Sequence, residues 1–127
     1  MVRKSNDIYD QNLIDALKEL PSEIEDKKHN LIICVSNDLA RSNETRFEHI
    51  AKRDHELKVR DIKAIPEGIR NYVLFAKSKE LKETYYYYIN RKGKSKGFIQ
   101  LAVKLYENSK VRAYIKTIYI CYRIKKE

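Results

Sequence analysis

The amino-acid sequence predicts an α+β protein in which N-terminal helices pack on one face of a roughly four-stranded antiparallel sheet. Two observations predict this fold class. Apolar residues recur at helical spacing in the first half of the chain, and the second half consists of short aromatic and β-branched runs separated by turn residues. With 127 residues, 43% of them hydrophobic, the chain fits a single domain, residues 1–127. Residues 1–41 are expected to carry a helix and a short strand, and residues 42–127 the main body.

The N-terminal part begins with a predicted helix. Apolar residues recur at helical spacing over residues 6–20, and Asn6 or Asp7 supplies a helix cap. The polar stretch of residues 22–30 indicates a connecting loop or a short extra turn. The continuous apolar run of residues 31–35 has the length of a buried strand, with a helical segment as the alternative.

Helical spacing returns after this strand. A helix is expected from an N-cap at Ser42 or Asn43 to about Asp54, because one face of the stretch is apolar. Residues 59–65 predict a shorter helical stretch, which stops before Pro66 because a proline begins a break there.

The remainder of the chain predicts an antiparallel meander. Its four strand-forming runs are residues 72–77, 84–89, 98–106 and 111–124. Residues 91–97 form a loop, and residues 107–110 have the composition of a hairpin turn. In the last run the apolar alternation changes parity near Thr117. This change predicts a β-bulge, a feature common beside functional sites.

The charge is unevenly spread. The chain carries 27 Lys and Arg against 18 Asp and Glu, a net charge of +9. Residues 1–57 hold 9 against 12, whereas residues 58–127 hold 18 against 6, a net charge of +12. The basic part also holds nine of the ten tyrosines. This composition predicts a polyanionic ligand, in the first place nucleic acid.

The cysteines and the hydropathy exclude several classes of protein. Cys34 and Cys121 show no CxxC spacing, which excludes a disulfide framework or a four-thiolate zinc site and indicates a reducing compartment. No apolar run approaches the roughly 18 residues that span a bilayer, and the N-terminus lacks a signal-peptide core. We therefore expect a cytoplasmic protein with no membrane partner.

One face of the predicted sheet offers cations and aromatic rings to a nucleic acid. Lys104 lies on the polar side of its strand, and Arg112 and Lys116 share one parity of the last strand. Four consecutive tyrosines put two rings on each face, and Tyr86 and Tyr88 can stack on bases or bind phosphates. The alternative is structural, because tyrosine favours strands and lysine protects sheet edges.

The histidines suggest acid–base chemistry without a metal. His49 and His55 are six residues apart, so they do not share a helical face, and neither an HExxH pattern nor a carboxylate cluster is present. We expect no metal and no cofactor. His49 beside Lys52 and Arg53 suits phosphoryl chemistry, in which the imidazole moves a proton and a cation neutralises the phosphate. His29 lies in a polar stretch and is expected at the surface.

A series of short motifs starts with His-Ile-Ala-Lys-Arg at residues 49–53. Asp61-Ile62, Asn71, the tyrosines at residues 85–88, Thr117 and Tyr119 follow in order. In order and spacing, this series resembles the phage-encoded branch of the barnase–EndoU–colicin–RelE (BECR) nuclease superfamily. The resemblance covers about residues 42–122.

The resemblance implies a BECR-like fold and metal-independent RNA cleavage, often by toxins that act on tRNA or ribosome-bound mRNA. In that chemistry the 2′-hydroxyl of the substrate attacks phosphorus and leaves a 2′,3′-cyclic end. His49 is then the general base or acid, Arg53 binds the scissile phosphate, and Thr117 and Tyr119 position it. Independently of the resemblance, their charge and aromatic rings predict that Lys52 and the basic and tyrosine residues of the sheet contact the RNA.

One motif departs from the family. The family usually has Arg-His after the His-Ile pair, whereas this chain has Arg53-Asp54-His55. Either His55 is displaced by one insertion and still serves in catalysis, or Asp54 stands where the second histidine was. In the second case the carboxylate repels a phosphate.

Three functions are therefore predicted. The first is an endoribonuclease, a toxin or phage-derived effector. The second is a non-catalytic module that holds RNA or DNA on the basic, tyrosine-rich sheet. The third is an interaction protein whose basic face binds an acidic partner such as an immunity or antitoxin protein, a partner that a toxin also needs.

Overall fold

A computed structural model of the chain describes residues 9–53 and 56–124. Within these residues the elements are, in chain order, α1 (Gln11–Lys18), β1 (Glu23–Asp26), β2 (Leu31–Cys34), β3 (Leu39–Arg41), β4 (Glu44–Thr45), α2 (Arg46–Arg53), α3 (Val59–Lys63), α4 (Ile65–Arg70), β5 (Leu74–Lys77), β6 (Thr84–Asn90), β7 (Phe98–Leu105) and β8 (Arg112–Cys121). The α+β class agrees with the prediction.

The sheet is larger than the predicted four antiparallel strands. Six strands form one mixed sheet in the order β1-β2-β8-β7-β6-β5, and β3 pairs with β4 in a separate two-stranded sheet. Strands β5 to β8 pair antiparallel with their neighbours in sequence. Strand β2 pairs parallel with β8, and β1 is added outside it. A parallel pair joins segments that are distant in sequence, so local patterns do not predict it.

One continuous apolar core lies between the helices and the first face of the sheet. Alternate residues of β7, starting at Ile99, point into it, as the alternation in the sequence predicts. Each fully buried Ile or Leu contributes about 1.5–3 kcal/mol to folding. The largest fully buried side chains are Leu13, Leu17, Ile33, Ile50, Leu57, Ile62, Ile65, Ile69, Tyr87, Ile99, Leu101 and Ile118.

Helix α1 starts later than predicted. Its N-cap is Asp10, whose carboxylate accepts hydrogen bonds from the backbone N–H groups of Asn12 and Leu13 at 3.0 and 3.3 Å. The predicted caps, Asn6 and Asp7, lie outside the described residues. The predicted apolar face is confirmed, because Leu13, Ile14 and Leu17 are buried.

The predicted loop at residues 22–30 contains strand β1. Its burial alternates, with Ile24 and Asp26 buried. Asp26 can be buried because Tyr87 donates a hydrogen bond to its Oδ2 at 2.5 Å and His29 Nδ1 lies 2.8 Å from the same oxygen. A strand that buries a carboxylate has no apolar pattern, and for this reason the sequence did not reveal it.

The region predicted as one helix from residue 42 begins with strand β4 instead. Helix α2 starts after Thr45, which with Glu48 forms a capping box. Thr45 N–H donates to Glu48 Oε1 at 3.0 Å, and Glu48 N–H donates to Thr45 Oγ1 at 3.3 Å. The predicted caps, Ser42 and Asn43, therefore lie in the turn between β3 and β4.

Pro66 begins a helix rather than ending one. It occupies the first turn of α4, where a residue without an N–H group costs no hydrogen bond. The predicted break at residues 66–68 is wrong for this reason. Gly68, inside α4, lets the helix lie directly against Ile89 of β6.

Candidate functional site

A pocket of about 480 Å³ lies on the second face of the sheet, opposite the core. We call it the histidine pocket. Strands β6, β7 and β8 form its base with Thr84, Tyr86, Gln100, Ala102, Lys116, Thr117 and Tyr119. Ala40 and Arg41 of β3, Arg46 and His49 of α2, and Leu81 of the β5–β6 turn form its sides.

A β-bulge in β8 directs two adjacent side chains into this pocket. Thr117 pairs with Ala102 of β7, whereas Ile115 pairs with the next residue, Val103, so Lys116 is the extra residue. Lys116 and Thr117 consequently both line the pocket. The bulge that the sequence predicts near Thr117 is confirmed.

The hydroxyl of Thr117 has no partner in the described part of the structure. Thr117 is only 7% exposed, yet its Oγ1 makes no hydrogen bond there. Buried hydroxyls are nearly always hydrogen-bonded, because an unpaired one costs about 1–3 kcal/mol. A polar group left unpaired at the base of a pocket is available to a ligand.

His49 is held in one orientation by a carboxylate. Its Nδ1 lies 2.9 Å from Oε1 of Glu44, and the side chain is 14% exposed. An ionised carboxylate can only accept, so Nδ1 carries the proton and donates it. Nε2 is then the basic nitrogen, and it has no hydrogen-bond partner among the described residues. This nitrogen can exchange a proton with a molecule in the pocket.

Glu44 is itself buried, at 5% exposure, and ionised. Burial acts to raise its pKa, but hydrogen bonds from Lys52 and His49 and the charges of these groups outweigh burial, so the pKa is lowered. Lys52 forms an ion pair with Oε2, and Tyr9 donates to the same oxygen at 3.3 Å. The carboxylate that orients His49 therefore stays charged at neutral pH.

The charged side chains that line the pocket are all basic. Arg41, Arg46 and Lys116 line it, and none of its described lining residues is Asp or Glu. Arg46 is fixed by Asp38, whose Oδ1 is 3.2 Å from Nε, and its guanidinium lies 5.1 Å from the ring centroid of Tyr114. Three cations around one cavity favour an anionic ligand.

The structure brings five of the eleven predicted site residues together in this pocket, namely His49, Tyr86, Lys116, Thr117 and Tyr119. Lys52 contacts Glu44 instead. Tyr88, on the same face of the sheet, accepts a hydrogen bond from Gln100 at 3.0 Å.

The remaining predicted residues lie elsewhere. Lys104 lines a neighbouring cavity, and Arg112 forms an ion pair with Glu23 near the β1 edge. The side chain of Arg53 and the whole of His55 lie outside the described part of the structure.

Three residues of the site were not predicted from the sequence, namely Glu44, which contacts His49, and Arg41 and Arg46, which line the pocket. Arg41 and Arg46 flank the short strand β4, where no periodic pattern marks them. Glu44 is five residues before His49, a spacing that gives contact only because β4 turns directly into α2. A buried carboxylate beside a histidine cannot be inferred from apolar periodicity.

A second carboxylate–imidazole pair lies apart from the pocket. His29 Nδ1 contacts the buried Asp26, and the ring stacks on Phe75 with centroids 3.7 Å apart. His29 is therefore partly buried, at 25% exposure of its side chain, and not on the surface as expected. Tyr87 also contacts Asp26, and burial and this carboxylate raise the pKa of Tyr87. This network joins β1 to β5 and β6.

The described residues contain no group of three or more His, Cys, Asp or Glu side chains that could hold a metal ion. None of the helices within them has the length and apolarity needed to cross a bilayer.

Comparisons of the chain with protein-family models, with curated proteins and with solved structures found no match.

Proposed function

We propose that this protein is a metal-independent endoribonuclease with a BECR-like fold, a toxin or phage-derived effector that cleaves tRNA or mRNA in the cytoplasm. One observation carries the proposal. An imidazole oriented by a buried carboxylate lines a pocket that also holds three cations and a buried hydroxyl with no hydrogen bond to the described residues. Cleavage of a phosphodiester needs a proton acceptor and compensating positive charge in one cavity, and this pocket combines them.

His49 acts as the general base. Its Nε2 takes the proton of the substrate 2′-hydroxyl, whose oxygen then attacks phosphorus and forms a 2′,3′-cyclic phosphate. Glu44, at 2.9 Å from Nδ1, holds the tautomer with a free Nε2 and stabilises the imidazolium that forms. This division of work between carboxylate and imidazole is the one known from hydrolytic triads.

The cations and Thr117 stabilise the charge that develops on the phosphate. Lys116 and Thr117 approach from the bulge, Arg41 from the end of β3 and Arg46 from the start of α2. Thr117 Oγ1 donates to a non-bridging phosphate oxygen and so gains the partner that none of the described residues supplies. Arg53 keeps the phosphate-binding role that the family resemblance implies.

The leaving 5′-oxygen needs a proton. Tyr86 and Tyr119 line the same pocket and carry hydroxyls that can supply it. Separate Tyr86→Phe and Tyr119→Phe variants identify the proton donor. Loss of the general acid slows the cleavage of a substrate with a poor leaving group more than that of a substrate with a good one, so the variant that shows this difference lacks the donor.

A toxin of this kind requires an inhibitor in the cell that makes it. An acidic immunity or antitoxin protein is the partner that fits, because Arg41 and Lys116 at the pocket form no ion pair with any described residue and offer it complementary charge.

The product chemistry tests the proposal. Purified protein is incubated in EDTA with total tRNA and with a single-stranded RNA, and the fragments are analysed for cyclic phosphate ends. New fragments with such ends support the nuclease. Intact RNA that shifts in mobility and is released by salt identifies the non-catalytic binding module instead.

A further inference from the structure

We propose that a second cavity holds the nucleotide that follows the two flanking the scissile phosphate, so that the substrate is single-stranded RNA that extends beyond the cleavage site. This inference rests on the proposed nuclease function. The cavity, of about 830 Å³, is lined by Lys82, Lys104, Tyr106, Lys110 and Tyr114, and we call it the lysine groove.

The lysine groove continues the histidine pocket along the same face of the sheet. Lys104 is two residues beyond Ala102 on β7, and Tyr114 is two residues before Lys116 on β8. Residues two apart on a strand share a face and are about 7 Å from one another. Arg46 links the two cavities, because it lines the pocket and lies over the ring of Tyr114. A chain bound in the pocket therefore enters the groove within one nucleotide.

The lysines of the groove are available to phosphates. Glu83 and Glu107 also line the groove, yet within the described residues none of the three lysines forms an ion pair. Two basic side chains outside the groove are by contrast paired, Arg91 with Asp61 and Lys92 with Glu67. Unpaired cations along one track fit the repeating charge of a nucleic-acid backbone.

Two tyrosine rings make the groove suitable for a base. The centroids of Tyr106 and Tyr114 are 5.1 Å apart with the planes tilted by 47°, and both side chains are partly buried. Arg46 lies over the ring of Tyr114, so Tyr106 is the ring for a base to stack on. Burial raises the pKa of Tyr106, so its hydroxyl stays neutral beside a phosphate. A base that stacks on a side chain must be unpaired, which selects single strands.

The test compares substrates of two lengths. The variants are Lys82→Gln/Lys110→Gln and Tyr106→Ala, and the matched control, Lys18→Gln/Lys63→Gln, removes the same charge from exposed positions on helices α1 and α3. The measured quantity is kcat/KM for a single-stranded RNA of about eight nucleotides divided by kcat/KM for a dinucleotide, which is too short to fill the groove.

We expect this ratio to fall about tenfold in each groove variant and to stay unchanged in the control. The logarithm of the RNA association constant falls linearly with the logarithm of the salt concentration. In the double variant this slope should become less steep by about 1.4, since each single-strand phosphate contact contributes about 0.7. An unchanged ratio would overturn the inference and would leave the lysines to an acidic protein partner.

The two proposals fail in different ways. If the wild-type protein cleaves both substrates and the groove variants keep the wild-type ratio, the inference fails and the nuclease stands. If no RNA is cleaved at all, the nuclease fails. In that case the binding of the longer RNA, weakened in the groove variants and not in the control, still supports the groove as a single-strand site, and equal binding refutes it.

Discussion

Thr117 carries a hydroxyl that the fold itself does not use. Its Oγ1 is buried at the base of the histidine pocket without a hydrogen bond to the described residues. Replacing it by the isosteric Thr117→Val removes this unsatisfied group. We expect the variant to be as stable as the wild type or more stable by up to about 1 kcal/mol, measured by urea denaturation.

The same substitution should weaken RNA cleavage. A hydrogen bond to a charged phosphate is worth about 1.5–3 kcal/mol, so kcat/KM is expected to fall roughly tenfold to a hundredfold. Thr84→Val is the matched stability control, since Thr84 Oγ1 donates to the backbone oxygen of Lys82 at 2.9 Å. It should destabilise the protein by about 1 kcal/mol. If Thr117→Val behaves like Thr84→Val, then its hydroxyl has a structural partner and no ligand role.

The ionisation of the single residue Glu44 makes the free energy of unfolding depend on pH. Its pKa is lowered in the folded protein, so its ionised form stabilises the fold above the ordinary glutamate value of 4.5, and this contribution is lost as the pH falls through the lowered pKa. Glu44→Gln should cost about 1–3 kcal/mol at pH 7. The difference in Tm between the two proteins should shrink between pH 5 and pH 3, which thermal melts can follow.

Glu44→Gln should also reduce RNA cleavage by about tenfold to a hundredfold, because Gln does not stabilise the imidazolium of His49. A Tm difference that stays constant down to pH 3 would contradict the ionised, network-bound state of Glu44.

At the scale of the elements, helix α4 depends on a close approach to β6. A methyl group on Gly68 would lie 2.8 Å from Cδ1 of Ile89 and closer still to its Cγ2, and Ile89 is buried at 3% exposure. Gly68→Ala should therefore cost about 1–3 kcal/mol although alanine favours helices. Urea denaturation measures the cost, with the exposed neighbour Glu67→Ala as a control that changes the midpoint little. A stabilised Gly68→Ala would show that α4 does not contact β6 as described.

The elements also show how far the sequence can predict the fold. Helix α1 and strand β7 follow from apolar periodicity, and strands β6 and β8 from runs of aromatic and β-branched residues. The bulge at Thr117 follows from the change of parity in β8. Strand β1 could not be predicted, since it buries Asp26, and the parallel pairing of β2 with β8 depends on contacts between distant segments.

The candidate site divides in the same way. His49 could be named because it stands beside Lys52 and Arg53, and Thr117 because the apolar alternation changes parity there. The family resemblance marks both residues. Glu44 and Arg46 could not, because their contacts with His49 and the pocket arise only when the β3–β4 segment folds against β8. A local pattern can therefore suggest the imidazole, whereas the group that orients it is set by tertiary structure.

At the scale of the whole molecule, residues 58–127, which carry a net charge of +12, supply most of the cations that line the two cavities. The second face of the sheet carries the histidine pocket and the lysine groove. Four lysines of this part of the chain line them and form no ion pair within the described residues, namely Lys82, Lys104, Lys110 and Lys116. Arg41, from the N-terminal part, also lines the pocket. The helices cover the opposite face and bury the core. The cations that line these two cavities attract an approaching polyanion toward the pocket.

The most direct test of the central claim is the rate of RNA cleavage in EDTA by the wild-type protein, His49→Ala and His29→Ala. Both variants remove an imidazole that is held by a buried carboxylate, but only His49 lines the pocket. We expect wild-type cleavage to leave cyclic phosphate ends, His49→Ala to lose about 10²–10⁴-fold in rate, and His29→Ala, once shown to be folded by circular dichroism, to keep it. Equal rates for folded His49→Ala and wild-type protein would contradict the account.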